Sequence, residues 1–92
     1  LIFGKQPGMV QVSYVILNEV DEAATRQQIG NLIRDIRLQA DLTQQELAQQ
    51  VGVGVSTVHK YETNGQKIPM HTLAKIAHLC QVDLVVGFQT KL

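Results

Sequence analysis

Residues 42–62, LTQQELAQQVGVGVSTVHKYE, are the stretch that most restricts how this chain folds. Thr43 is followed three residues later by Glu46, so the Thr43 hydroxyl can accept from the Glu46 N–H while the Glu46 carboxylate accepts from the Thr43 N–H. This capping box predicts that a helix starts at Thr43. Gly52 predicts where that helix ends, because glycine readily adopts the left-handed conformation that stops a helix.

A second short helix is predicted in the same stretch. Val55, Val58 and Tyr61 recur at three-residue spacing with polar residues between them, which is typical of one helix face. Gly54 precedes this helix where a serine or threonine would cap it slightly better. Two short helices joined by a glycine-containing turn of three or four residues have the dimensions of a helix-turn-helix.

One longer helix is predicted ahead of this pair by an apolar stripe at i, i+3, i+4, i+7 and i+11, formed by Ile29, Leu32, Ile33, Ile36 and Ala40. Its start is predicted either at a capping box of Thr25 with Gln28 or at an earlier cap, Asp21. Asp41 is the predicted stop, because aspartate tolerates left-handed backbone geometry.

A fourth helix is predicted between Pro69, which fits just ahead of a helix or in its first turn, and about Gln81. Its apolar side is formed by Leu73, Ile76, Ala77 and Cys80. With the helix-turn-helix pair and the longer helix, this brings the predicted number of helices to four, packed as a small orthogonal bundle.

Strands are predicted near both ends of the chain. Residues 9–17, MVQVSYVIL, alternate with period two and are rich in β-branched residues, and residues 83–89, DLVVGFQ, are the other strand-like run. These strands could pair within one subunit, or either could pair across a dimer axis. The pattern leaves both arrangements open.

The chain is expected to form one small domain with a mainly aliphatic core, since its 92 residues include no Trp, two Tyr and two Phe. Residues 1–8, LIFGKQPG, precede the first Met and are interpreted as a vector-derived or flexible leader. A strand and acidic connector at 9–20, a helix-turn-helix domain at 21–84 and a strand with a tail at 83–92 complete the division. The predicted fold class is mainly α, a bundle of four to five helices with short terminal β-strands.

The charge pattern permits a nucleic-acid partner without demanding one. The formal net charge is zero, but Glu19, Asp21 and Glu22 cluster ahead of the helices, and residues 25–92 carry seven Lys or Arg against five Asp or Glu. A net charge of +2 over the helical region makes sequence-independent attraction to phosphate modest. Specific contacts must therefore contribute more of the binding energy.

Catalytic and metal sites are not predicted. The sequence contains no glycine-rich elbow, phosphate loop or paired carboxylates, so neither an enzyme nor a cofactor is expected. His59, His71, His78 and Cys80 match no zinc-ligand spacing. A single cysteine, no secretory signal and no apolar run of about 18 residues predict a cytoplasmic protein without a membrane partner.

The pattern T-Q-x-E-L-A-x-x-V-G-V-x-x-S-T-V-x-x-Y-E, followed by N-G, a Pro and T-L-x-K-I-A, resembles the Xre (phage repressor or Cro-like) helix-turn-helix family over about residues 29–84. The resemblance implies a lambda-repressor-like bundle. It also implies a sequence-specific DNA-binding regulator, a repressor that binds an inverted-repeat operator as a homodimer. The ending LAKIAHLCQVDLVVGF is most similar to antitoxin-type regulators, which implies a toxin protein as a further partner.

The second helix of the pair is the candidate recognition helix, because an α-helix fits the major groove and offers its N-terminal part to the bases. Its candidate DNA-contacting residues are Val55, Ser56, Thr57, His59 and Lys60. The resemblance adds Thr43 as a phosphate contact and Gln44 as a base or backbone contact, and Lys67, past the Asn-Gly turn, is predicted to contact phosphate. The alternative is a solvated polar helix face without a nucleic-acid partner.

The resemblance further implies a partly buried ion pair between Arg37 and Glu62 that fixes geometry rather than reads bases. The alternative is two exposed charges. For the function, the contrasting hypothesis is a protein-interaction module that recruits a partner through its terminal strands, with DNA binding secondary or lost.

Overall fold

The computed structural model describes residues 11–16, 21–63 and 67–87. The leader at 1–8, Glu19 of the acidic connector, the Asn64-Gly65 turn and residues 88–92 of the tail lie outside the described residues. Within them the chain is mainly helical with two short strands, so the predicted fold class is confirmed. In chain order the elements are β1 (Gln11–Ile16), α1 (Glu22–Gln39), α2 (Gln44–Val51), α3 (Val55–Thr63), α4 (Met70–Leu79) and β2 (Val82–Gly87).

The two terminal strands pair with each other as a two-stranded parallel sheet, with Gln11 opposite Val82 and Ile16 opposite Gly87. Of the two arrangements that the sequence left open, the structure shows pairing within one chain. A parallel pair needs a long crossover, and here all four helices lie between the strands. Val82 is buried, and Leu84 packs against the core, so β2 closes one side of the helical bundle.

Helix α1 starts at the earlier of the two predicted positions. The Asp21 side chain accepts from Ala24 N at 3.0 Å and is the N-cap, whereas Thr25 lies inside the helix, where its hydroxyl donates to Asp21 O at 3.0 Å. The capping box predicted for Thr25 and Gln28 is therefore wrong. Aspartate precedes the acidic first turn and places its charge at the positive end of the helix dipole.

The end of α1 matches its prediction. Asp41 has a φ of 57°, and its N–H donates to Leu38 O while the Leu42 N–H donates to Arg37 O. These two bonds are those of a Schellman motif, which satisfies helix carbonyls that have no partner within the helix. The chain therefore turns sharply from α1 into the start of α2.

The helix-turn-helix pair forms as its capping residues predict. Thr43 and Glu46 make both bonds of the capping box at the start of α2, and Gly52 ends that helix with a φ of 85°. At the start of α3, the Gly54 carbonyl accepts from the N–H groups of Thr57 and Val58. Glycine therefore occupies the N-cap position of α3 without supplying a side-chain acceptor.

The hydrophobic core draws on all four helices and on β2 and includes Leu32, Ile33, Ile36, Leu47, Val51, Val58, Tyr61, Leu73, Ile76 and Cys80. The predicted apolar sides of α1 and α4 are confirmed, with Ile29 and Ala40 partly buried at the margins. Val55 departs from the prediction for α3. It is 49% exposed rather than packed with Val58 and Tyr61, because it lies in the first turn, beyond the edge of the core.

Helices α1 and α3 approach each other closely at Gly30. A methyl group at this position would overlap the carbonyl oxygen of Tyr61 and lie 3.2 Å from that of Glu62. Only a glycine lets the backbones of the two helices come this close. Gly30 therefore fixes the distance between α1 and the candidate recognition helix.

Lys75 of α4 secures the other end of α2. Its Nζ donates to Val51 O at 3.2 Å, so a lysine satisfies a carbonyl at the C-terminal end of a helix, where positive charge is favoured. None of the helices in the described ranges has the length and apolar character needed to cross a membrane.

Candidate nucleic-acid interface

The exposed side of α3 carries four of the eight predicted DNA-contacting residues. Val55, Ser56, His59 and Lys60 are exposed and together define what we call the α3 outer face. Ser56 and Lys60 lie one turn apart on the same line of the helix, which is opposite to buried Val58. Thr57 is half-buried and lies at the edge of this face.

The α3 outer face exposes no carboxylate of its own helix. Glu62 is the acid in the α3 sequence VSTVHKYET, and its side chain is only 2% exposed. Lys60 is therefore the exposed formal charge that α3 presents. This distribution favours an anionic ligand on the outer face, because no acid of the same helix opposes it.

Glu62 is held by a bidentate ion pair with Arg37. Arg37 Nε donates to Glu62 Oε2 at 2.7 Å, and Arg37 Nη2 donates to Glu62 Oε1 at 3.0 Å. The remaining nitrogen, Arg37 Nη1, donates to Leu42 O at 2.7 Å. Arg37 and Glu62 are 8% and 4% exposed, so the pair is buried and joins α1, α3 and the segment before α2.

Gln44 belongs to the same network. Its Nε2 donates to Glu62 Oε1 at 3.1 Å, which links the first residue of α2 to the C-terminal part of α3. Gln44 is half-buried, whereas neighbouring Thr43 and Gln45 are exposed. The structure thus brings Gln44 together with the ion pair rather than leaving it free in solvent.

The capping box fixes Thr43 at the surface beside Gln44. The Thr43 N–H donates to Glu46 Oε1 at 2.9 Å, and the Glu46 N–H donates to Thr43 Oγ1 at 3.0 Å. The bond from the Thr43 N–H, supported by that with its hydroxyl, lowers the pKa of the Glu46 carboxyl. Thr43 itself is exposed, so its side chain lies at the surface next to Gln44.

Lys67 is exposed, as a phosphate contact requires, but it faces a carboxylate. Its Nζ lies 3.7 Å from Glu22 Oε1, and both side chains are more than 60% exposed. A surface pair of this kind contributes little to stability. No sequence pattern indicates that Glu22 lies near Lys67, because the two residues are 45 positions apart along the chain.

The histidines and Cys80 do not come together. His59, His71 and His78 are exposed and Cys80 is buried. Across the ranges that the structure describes, no group of three or more His, Cys, Asp or Glu side chains is placed to hold a metal ion.

Three residues important for positioning the interface were not found from the sequence. Gly30 sets the α1–α3 distance, Lys75 caps α2, and Gln27 Nε2 donates to Glu62 O at 3.5 Å. A glycine inside the apolar stripe of α1 was a usable signal, since it is unfavourable in a helix unless packing requires it. Lys75 and Gln27 gave no such signal, because polar residues on helix surfaces are common.

Comparison with known proteins agrees with this geometry. Residues 33–86 match the sequence profile of the helix-turn-helix family, which is more than half of the chain. The chain is also 42% identical over 52 residues to the cryptic phage CTXphi transcriptional repressor RstR of Vibrio cholerae. That alignment covers 56% of this chain and 47% of the repressor, so the chain spans about half the length of this relative.

The matched range includes the capping box of α2, the left-handed Gly52 turn, α3 and the ion pair that joins α1 to α3. The resemblance noted in the sequence is thereby confirmed. The chain belongs to the Xre-like helix-turn-helix family of DNA-binding transcriptional regulators.

Proposed function

We propose that this protein represses transcription by binding operator DNA sequence-specifically through the α3 outer face. The observation that carries the proposal is the combination of exposed Val55, Ser56, His59 and Lys60 with a buried Glu62. Small polar and cationic side chains on a rigid helix can enter the major groove, where each base pair has a distinct donor and acceptor pattern. The ion pair keeps the acid of α3 away from the duplex.

Each side chain of this face suits a different part of the groove. Ser56 and Thr57 hydroxyls can hydrogen-bond to several base edges, and Lys60 suits guanine O6 and N7 or a phosphate. Val55, which is outside the core, can contact a thymine methyl group. His59 lies on the same exposed side and adds a further polar contact.

Thr43, Gln44 and Lys67 are the proposed contacts at the margins of the interface. Thr43 and Gln44 lie at the positive N-terminal end of α2, a favourable place for a phosphate. Lys67 would exchange its weak pairing with Glu22 for a phosphate. Such contacts fix the register of the protein on the duplex, while base edges supply the specificity.

A homodimer is the proposed binding form. Two copies related by a two-fold axis would place their recognition helices about 34–36 Å apart in successive major grooves. The operator is then expected to be an inverted repeat, because the symmetry of the DNA site follows that of the dimer.

A mobility-shift assay tests the function. Duplex DNA from upstream of the gene is compared with a scrambled duplex of equal length at several salt concentrations. The proposal predicts tight binding to the upstream duplex and a shallow salt dependence, because few phosphates are neutralised. Equal affinity for both duplexes would contradict it.

Variants identify the surface used. Ser56→Ala with Lys60→Ala should abolish operator binding. Arg34→Ala with Gln39→Ala removes the same charge from exposed positions of α1 and should leave most of the affinity intact. If both double variants lose affinity equally, charge alone accounts for binding and the outer face does not read sequence.

The terminal sheet supports a second candidate function, recruitment of a partner protein such as a toxin. Among the described residues β1 and β2 pair with each other and with no third strand, so each has an outer edge. Exposed sheet edges accept strands from other proteins. Under this alternative the Ser56→Ala, Lys60→Ala variant retains partner binding.

The antitoxin form of this alternative is tested genetically. A neighbouring short reading frame is induced with and without this protein, and growth is followed. Rescue of growth by the wild type and by the Ser56→Ala, Lys60→Ala variant would support toxin neutralisation. Toxicity that this protein does not relieve would exclude that reading frame as its toxin.

A further inference from the structure

The Glu62 carboxylate accepts hydrogen bonds from both Arg37 and Gln44. Both oxygens of Glu62 are used by Arg37, at 2.7 and 3.0 Å, and Oε1 also accepts from Gln44 Nε2 at 3.1 Å. The guanidinium is itself anchored on Leu42 O at 2.7 Å. The carboxylate is therefore held rigidly at both oxygens while it holds the Gln44 side chain.

The bond to Glu62 fixes which way the Gln44 amide faces. A carboxylate paired with a guanidinium only accepts hydrogen bonds, so the NH2 group of Gln44 must point toward Glu62 and the carbonyl oxygen away from it. No other hydrogen bond of the Gln44 side chain occurs within the described ranges. One N–H and the carbonyl oxygen therefore remain to meet a ligand.

We infer that Glu62 is a positioning residue for DNA binding, whose carboxylate orients the Gln44 amide toward the duplex. The inference rests on the proposed function, in which Gln44 is a DNA contact. A side chain whose rotamer is held before binding loses less conformational entropy when it meets its ligand. The buried ion pair therefore sets the strength of a DNA contact in addition to joining α1, α3 and the segment before α2.

The position of Gln44 distinguishes this role from that of an ordinary surface glutamine. Gln45 follows it, is exposed and, among the described residues, makes no hydrogen bond to Glu62. A glutamine without such a partner samples several rotamers, and much of that freedom is lost on binding. Gln45 is thus a matched control on the same helical turn.

A double-mutant cycle on operator affinity tests the inference. Gln44→Ala, Glu62→Gln and the combination are compared by fluorescence anisotropy, at a temperature where circular dichroism shows each protein folded. Each single variant is expected to bind about tenfold more weakly. The combination should bind no more weakly than the weaker single variant, because both changes remove one oriented contact.

The Gln45→Ala control separates positioning from a structural effect of Glu62. Its effect on affinity should multiply with that of Glu62→Gln, since the two residues act independently. If the losses of affinity caused by Gln44→Ala and Glu62→Gln also multiply, the inference is overturned, because Glu62 would then act on the fold alone. An unchanged affinity of Glu62→Gln beside a weakened Gln44→Ala would overturn it too.

A second measurement applies if Glu62→Gln does not fold. In the wild type, nuclear magnetic resonance follows the side-chain NH2 of Gln44, assigned by its absence from Gln44→Ala. One proton is expected downfield and protected from exchange with water, and both should shift on addition of operator duplex. An amide that exchanges freely, or that does not respond to operator, overturns the inference.

Loss of discrimination between operator and scrambled DNA by the wild type would instead contradict the proposed function.

Discussion

Two glycines lie close together in the turn between α2 and α3 under different constraints. Gly52 has a φ of 85°, a conformation that L-residues adopt at a cost, although the space around it is open. Gly54 is the N-cap of α3, and a Cβ there would make ordinary contacts at 3.8 and 3.9 Å. The same substitution is therefore expected to have opposite effects at the two positions.

Gly52→Ser should lower the free energy of unfolding by about 1–2 kcal/mol, the cost of left-handed geometry with a Cβ. Gly54→Ser should raise it by roughly 0.5 kcal/mol, because serine supplies the missing cap and restricts the unfolded chain. Urea denaturation of both variants measures this. Destabilisation of equal size in both would show that the turn is held by something other than backbone conformation.

The Glu46 carboxyl couples the capping box to pH. Its pKa is lowered in the folded protein by the bond from Thr43, so its contribution to stability is complete above the unfolded pKa of about 4.3. That contribution is lost as the pH falls through the lower folded pKa. Glu46→Gln, which is neutral throughout, should be less stable than the wild type at pH 7 and approach it in Tm toward pH 3.

Thermal melts from pH 7 to pH 3 check this prediction. Gln50→Ala, at an exposed position of the same helix, serves as the control and should differ from the wild type by a constant amount. A constant difference for Glu46→Gln would mean that its charge has no part in the cap.

At the level of single residues, the caps were predictable because they depend on neighbours in sequence. Thr43 and Glu46 are three residues apart, and Gly52 and Asp41 needed only their own backbone preferences. The capping box predicted at Thr25 did not form, because Asp21, four residues earlier, offers the same kind of acceptor and adds a negative charge. The sequence predicted a helix start at either residue and offered no basis for choosing between them.

Among the helices, the contact of α1 with α3 decides how the candidate recognition helix is held. At an open helical site, Gly30→Ala would raise the free energy of unfolding by about 1 kcal/mol, because alanine favours the helix more than glycine does. The overlap with Tyr61 O is expected to outweigh this gain and destabilise the protein by about 1–3 kcal/mol. It should also weaken operator binding, since α3 is displaced.

Chemical denaturation with an operator titration on the folded fraction measures both effects. Arg34→Ala, on the exposed side of α1, is the control and should leave stability within about 0.5 kcal/mol of the wild type. A stabilised Gly30→Ala would show that α1 and α3 are farther apart than the structure places them.

Element boundaries followed from periodicity, but the contacts between elements did not. The apolar stripes of α1 and α4 were visible in the sequence, whereas the parallel pairing of β1 with β2 joins residues 71 positions apart in register. The bond between Gln44 and Glu62 is a similar case. The sequence already accounts for Gln44 as a DNA contact and for Glu62 as the partner of Arg37, so neither residue points to the other. The Arg37–Glu62 pair was expected only because the resemblance implied it, and no such guide pointed to the contact with Gln44.

For the whole molecule, low net charge and an exposed polar helix together predict how DNA is bound. The formal charge is zero, so affinity for random duplex should be weak and selectivity should come from base contacts.

Lys60→Gln should weaken operator binding and, if Lys60 contacts a phosphate, reduce the slope of log affinity against log salt by about 1. Anisotropy titrations at four salt concentrations measure that slope. A parallel loss of affinity at every salt, with weakened discrimination between operator variants, would assign Lys60 to a base instead.

Contact between the α3 outer face and DNA is tested by a nuclear magnetic resonance titration of the 15N-labelled protein with operator duplex. The largest shifts, and protection from a soluble paramagnetic agent, are expected at Ser56, His59 and Lys60, with smaller shifts at Thr43 and Gln44. Shifts confined to β2 and α4, with the α3 outer face unchanged at saturation, would contradict it.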